Sequence, residues 1–224
     1  MPQPAVRTGA DAYSDKSSSY FTGERRDFID RLSPSDDREI LEIGCGDGAT
    51  GAYAKLTGRC GRYVGLELSP DAAELARGRL DQVFVGDVEA MKFPFEIAAF
   101  DVLIASEVLE HLVDPWSTLR RLRRYMKPGA RVFASSPNVA HRSTLVMLLN
   151  GRWDLTDDGR MDRTHLRWFT PSSFADMFRQ SGYEVVSLEP LRRPGPLARA
   201  IDVITGRRFS HLFISQIVVE ARAI

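Results

Sequence analysis

Apolar residues in this chain fall into short runs of strand length, separated by longer segments with helical spacing. From Glu39 onward the alternation is regular. Strands are predicted at 39–43, 63–66, 82–85, 100–105 and 131–135, each ending at a polar or glycine-containing turn. The intervening helices are what crossovers in a parallel sheet require. Ser69-Pro70 reads as a helix start, with Ser69 as N-cap and Pro70 at the first helical position. Lys127-Pro128-Gly129 is expected to stop a helix ahead of the fifth strand. After Ser136 the pattern changes. The apolar run of a short helix at 145–149 raises a lipid-linked acceptor but is expected instead to be the buried face of a lid helix, and an irregular stretch from Gly151 to Arg167 follows. Thr170-Pro171 opens another helix that Gly182 closes. Two last strands, 184–189 and 212–221, flank an insertion rich in Pro, Gly and Arg.

The predicted fold is α/β. It is a Rossmann-like, doubly wound, mostly parallel seven-stranded sheet, with an antiparallel last strand and a lid insertion after strand five. Residues 1–37 are polar and read as an N-terminal arm or helix covering the site. Residues 38–224 form the main domain, with the lid or acceptor insertion at about 137–182.

Composition narrows the partners. A 224-residue chain with 43% hydrophobic residues supports one domain with a sizeable core. Lys+Arg and Asp+Glu number 30 each, so no bulk field draws in a polyanion, and no nucleic-acid partner is expected. The basic run 120–124 reads as an exposed helix face. Cys45 and Cys60 are too few for a disulfide scaffold, and reduced thiols suit a cytoplasmic protein. No apolar run reaches the roughly 20 residues that span a bilayer, so no stable membrane insertion is expected, and the first thirty residues lack the apolar core of a signal peptide.

The densest chemical signal is Glu39-Ile-Leu-Glu-Ile-Gly-Cys-Gly-Asp-Gly48, an apolar strand running into Gly44, Gly46 and Gly48 ahead of a helix. Glycines there let backbone approach a ligand, and the helix N-terminus offers N–H donors. Gly46-x-Gly48-x-x-Gly51 also satisfies the dinucleotide fingerprint, which keeps a nicotinamide-dependent oxidoreductase open as an alternative. Glu67 ends the second strand, where a carboxylate can accept from both ribose hydroxyls of a nucleoside. Asp87 follows the third strand, placed to accept from an adenine amine or to cap a helix. The fourth strand runs into Ser106-Glu107-Val108-Leu109-Glu110-His111.

These four segments, with Met126-Lys-Pro-Gly-Ala130 before the fifth strand, resemble class I S-adenosylmethionine-dependent methyltransferases over roughly residues 38–137. The resemblance implies S-adenosylmethionine as cofactor and S-adenosylhomocysteine as product. It implies Gly44, Cys45 and Gly46 under the methionine part, with Glu42 at the strand end. Glu67 would bind the ribose, Leu68 would pack on the adenine, Asp87 with Val88 would hold the adenine edge, and Ser106 would line the methionyl side. Tyr13 and Tyr20 of the arm could fold over the cofactor.

Methyl transfer to a hydroxyl needs the acceptor aligned and its proton removed. Of the four histidines, His165, in Met161-Asp-Arg-Thr-His-Leu-Arg-Trp-Phe-Thr170, is the favoured base, oriented by Asp162. His111 is the second candidate, His141 is a third near the pocket mouth, and His211 reads as structural. No His/carboxylate cluster has a recognisable ligand spacing, so no metal is expected. Residues 137–182 resemble a bacterial subgroup associated with saccharide and natural-product pathways, which implies a small-molecule or saccharide acceptor. Trp153 and Trp168 could stack on a sugar ring. A non-catalytic cofactor-binding protein is the remaining alternative, and monomer and homodimer both stay open.

Overall fold

The computed structural model describes residues 22–224, so the expectations for Tyr13 and Tyr20 lie outside the described residues. Its strands are β1 (Glu39–Ile43), β2 (Arg62–Glu67), β3 (Gln82–Val85), β4 (Phe100–Ser106), β5 (Met126–Pro137), β6 (Tyr183–Pro190) and β7 (Gln216–Ala223). They form one seven-stranded sheet in the order β3-β2-β1-β4-β5-β7-β6. β1 and β2 are almost wholly buried, as strands inside a parallel sheet are, while β3 is exposed at both ends.

The described chain divides into two compact units, the first ending at Ile104 and the second beginning at Ala105. In the first, β1 pairs parallel with β2, Glu39 opposite Arg62, and β2 pairs parallel with β3. Ile40, Leu41, Ile43, Tyr63 and Val64 have no solvent exposure and form its core. The helices of this unit are α1 (Arg26–Ile29), α2 (Ala49–Leu56) and α3 (Pro70–Arg77). α3 begins as expected: the Ser69 side chain accepts from Ala72 N, and Pro70 stands at the first position. α1 buries Phe28 and Ile29.

In the second unit β7 runs antiparallel to both neighbours, from Arg131 opposite Arg222 to Pro137 opposite Gln216 on the β5 side. Its helices are α4 (Pro115–Arg123), α5 (Arg142–Leu149), α6 (Pro171–Gln180) and α7 (Pro196–Ile204). α6 starts with a capping box between Thr170 and Ser173. An aromatic ladder, Phe169–Phe174–Phe178–Tyr183, with centroids 5.1, 5.4 and 6.0 Å apart, fixes α6 on β6.

Three local expectations are corrected. The last strand begins at Gln216 rather than 212, because residues 210–213 close a 3₁₀ turn and β7 starts where both partner strands supply ladder bonds. Lys127–Gly129 does not stop a helix. α4 ends at Arg123, and β5 already runs from Met126, with Gly129 at φ 77°. The apolar run of α5 is not a buried face: Val146, Leu148 and Leu149 are exposed, and the helix buries Thr144 alone.

Candidate active site

In the first unit the glycine turn is built by hydrogen bonds to β2. Gly44 N and Cys45 N both donate to the Leu66 carbonyl, at 2.8 and 3.1 Å. Gly44, Gly46 and Gly48 lie at φ 66°, 54° and 80°, the left-handed region that glycine enters at little cost. Glu67, buried at the end of β2, accepts from Gly46 N at 2.8 Å through Oε2 and from Leu68 N and Ser69 N at 2.8 and 2.9 Å through Oε1. Burial raises its pKa, and those three N–H groups oppose the rise. A carboxylate has about four acceptor positions, so one remains for a ribose hydroxyl.

Other predicted residues have roles inside the fold. Glu42 is fully buried and accepts from Tyr63 OH at 2.9 Å, and burial pushes its carboxyl up to about 8. Cys45 is buried and its thiol is pushed far above its ordinary range, first by burial and then by Glu42 and Glu67, so it is an inert packing thiol. Neither cysteine is in a disulfide. Asp87 Oδ1 accepts from Glu89 N at 2.8 Å while its carbonyl takes Ala90 N and Met91 N, so it caps a turn, and Val88 is buried behind it. Leu68 is held at the turn through its N–H to Glu67.

Two glycines without an assigned role are required by packing. A Cβ on Gly51 would lie 2.2 Å from Leu80 Cδ2, and one on Gly65 would lie 2.4 Å from Cys45 Sγ. Gly51 therefore lets α2 close on β2, and the dinucleotide-like spacing has a structural cause. Sequence reasoning also missed Thr50, buried in α2, whose Oγ accepts from Arg25 N at 3.2 Å. Nothing in its local pattern marks it.

In the second unit β4 ends in a kink. Ser106 Oγ lies 3.2 Å from Ser135 Oγ, and Glu107 N donates to the Ser135 carbonyl from a backbone φ of 54°, uncommon for a residue with a side chain. A 3₁₀ turn, Leu109–His111, follows. The Glu110 carbonyl accepts from Leu166 N and Arg167 N, both at 2.8 Å, which clamps the irregular stretch onto this turn. His111 and His165, 54 positions apart in sequence, then meet edge to face with ring centroids 4.7 Å apart.

Both rings face backbone carbonyls through Nδ1. His111 Nδ1 lies 3.2 Å from the Thr164 carbonyl and His165 Nδ1 lies 3.1 Å from the Arg160 carbonyl. A carbonyl only accepts, so each Nδ1 carries the proton and each Nε2 the lone pair. Asp162 Oδ1 accepts from Thr164 N and Thr164 Oγ at 2.9 and 2.8 Å, and the Asp162 carbonyl accepts from His165 N at 3.0 Å, while His165 Nδ1 faces the Arg160 carbonyl. The Glu110 carboxyl is 1% exposed, and neither of its oxygens has a hydrogen-bond partner. Burial, then the charge of Glu107, holds it well above the usual carboxylate range. The Ser136 hydroxyl opposes that shift without reaching hydrogen-bond geometry. Among the described residues, Glu110, His111 and His165 have ligand-capable atoms that all lie within 4.8 Å of one another. His141 caps α5 by accepting from Ser143 N, and His211 lies in the 3₁₀ turn before β7.

A glycine turn tied to a buried acid at the end of β2 is the arrangement with which open α/β sheets hold a nucleoside cofactor, and it defines the chain as a nucleoside-cofactor α/β protein. The sequence matches the family described as a methyltransferase domain over residues 19–188, and the chain belongs to it: it is a class I S-adenosylmethionine-dependent methyltransferase. It is 30% identical over 189 residues to a protein of Aromatoleum aromaticum named ubiquinone biosynthesis O-methyltransferase, covering 80% of each chain. It is 28% identical over 191 residues to the protein of that name from Pseudomonas aeruginosa, covering 80% of this chain and 81% of the relative. Among solved structures, a S-adenosylmethionine-dependent methyltransferase from Archaeoglobus fulgidus superposes with a TM-score of 0.65 at 19% identity, over 88% of this chain and 90% of that one. A chain from the complex of the Haloferax volcanii Trm112 methyltransferase activator with a methyltransferase gives 0.65 at 20% identity, over 98% and 99%. The family sets aside the nicotinamide and non-catalytic alternatives. Among the described residues, no helix is long and apolar enough to cross a membrane.

Proposed function

We propose that the chain methylates a hydroxyl oxygen of a small-molecule acceptor. Gly44, Cys45, Gly46, Glu67, Leu68, Asp87 and Val88 cradle the cofactor, and Glu42 braces the turn from the core. The acceptor hydroxyl is activated at Glu110, His111 and His165. Its oxygen attacks the methyl carbon, the S–C bond breaks to leave S-adenosylhomocysteine, and the hydroxyl proton is released to water. The observation that carries this reading is the convergence of two imidazoles and a buried carboxyl on one 3₁₀ turn. The relatives' name supports oxygen as the receiving atom and a quinone-type ring as its bearer. A phenol, with a pKa near 10, loses its proton far more readily than a sugar hydroxyl.

A saccharide hydroxyl is the second reading, favoured by Trp153. That ring is 41% exposed and stands edge to face with Trp168 at 5.0 Å, a platform on which a sugar can stack. The test is transfer of an isotopically labelled methyl group from S-adenosylmethionine to panels of phenols and saccharides. Labelled aryl methyl ethers support the first reading and labelled sugar ethers the second. Label on nitrogen or carbon overturns both.

A further inference from the structure

We propose that Glu110, His111 and His165 bind one divalent cation of the first transition row, and that this cation is what activates the acceptor hydroxyl. The first argument is the carboxyl of Glu110. It is 1% exposed, and neither oxygen has a hydrogen-bond partner. An unpartnered buried carboxyl is costly, and the cost is removed when the group pairs with a cation. The second argument is convergence: one atom from each of the three side chains lies within 4.8 Å of the other two, a spread that a single ion can draw together. The third is the way the two rings are held. His111 and His165 each direct Nδ1 to a backbone carbonyl, of Thr164 and Arg160, and so hold Nε2 as the lone-pair nitrogen. Metal-bound histidines almost always donate their other ring N–H in this way, to a carbonyl or carboxylate.

The donor set fixes the ligand class. Two neutral imidazoles and one carboxylate suit Mn²⁺, Fe²⁺, Co²⁺ or Zn²⁺ better than Ca²⁺ or Mg²⁺, which prefer oxygen alone. Three protein ligands leave further coordination positions, and a hydroxyl bound at one of them becomes more acidic. The inference rests on the proposed activation of an acceptor hydroxyl at this cluster. Glu107, at φ 54°, stands just ahead of the 3₁₀ turn that carries both Glu110 and His111. Sequence spacing pointed to no metal, because His165 arrives from a segment 54 residues beyond His111.

The experiment titrates chelator-treated full-length protein with Mn²⁺, following free Mn²⁺ by electron paramagnetic resonance. One ion per chain is expected, displaced by Zn²⁺ more readily than by Mg²⁺, with nitrogen hyperfine coupling from two imidazoles. Glu110→Gln and His165→Ala are each expected to weaken binding at least about tenfold while S-adenosylhomocysteine still binds. The nitrogen coupling is read on the wild-type protein, so it decides the matter even if a variant does not fold. Absence of Mn²⁺ binding, absence of nitrogen coupling, or binding unchanged in Glu110→Gln overturns the proposal. Methyl transfer to a hydroxyl by fully chelated protein overturns the metal while leaving the proposed reaction standing. Mn²⁺ bound as described, with no acceptor hydroxyl methylated, overturns the reaction and keeps the site.

Discussion

Three backbone N–H groups, of Gly46, Leu68 and Ser69, end on the single buried carboxylate of Glu67. Glu67→Ala leaves all three without an acceptor, at about 1–3 kcal/mol for each donor that water cannot reach. The expected outcome is a loss of S-adenosylhomocysteine affinity of at least about tenfold, read by calorimetric titration; unchanged affinity would show that the turn stands without it. Glu42 carries a pH signature instead. Its carboxyl is raised to about 8 by burial, with Tyr63, Thr50 and Arg25 opposing the rise and Glu67 adding to it. Between pH about 4.5 and about 8 the folded chain holds a proton that the unfolded chain releases, so its contribution to stability falls as pH rises through that window. The difference in urea midpoint between wild type and Glu42→Gln should shift in favour of the variant from pH 5 to pH 8. A difference that stays constant contradicts the burial account. At this scale the acids were legible because strand ends are legible. Glu110 was not marked as part of the cluster, since its value depends on where His165 arrives.

The elements were legible wherever period and punctuation agreed, and less so where the chain departs from them. β1 and β3 fall where their apolar runs lie, and α3 starts at Ser69-Pro70 as its cap chemistry demands. β7 starts late because its first residues form a 3₁₀ turn and strand length is set by partner strands. α5 reads like a buried helix yet shows its apolar side to solvent, because periodicity reports which residues share a face and not what covers it. The close approach of the glycine turn to β2 is a further case. Gly65 accommodates Cys45 Sγ, so Gly65→Ala should destabilise by about 1–3 kcal/mol through overpacking. Cys45→Ala in the same chain should recover part of that loss, and a double-mutant cycle in urea measures it. Strict additivity would show that the two do not meet.

On the scale of the whole molecule, the α/β fold class and the cofactor class were readable from residues 38–137, because that half carries its chemistry in contiguous strand-to-turn segments. The acceptor half is assembled from distant pieces: the Glu110 carbonyl clamps Leu166 and Arg167, and His111 reaches Thr164 across the same clamp. In the proposed reading, methyl donor binding and acceptor activation fall to separate sets of side chains. The most direct test is single-turnover transfer of labelled methyl from S-adenosylmethionine to a phenolic acceptor, comparing wild type with His165→Ala alongside S-adenosylhomocysteine affinity. The account predicts a labelled aryl ether from the wild type, and in the variant a rate at least about 100-fold lower with cofactor affinity unchanged. Equal rates in the two proteins would contradict it.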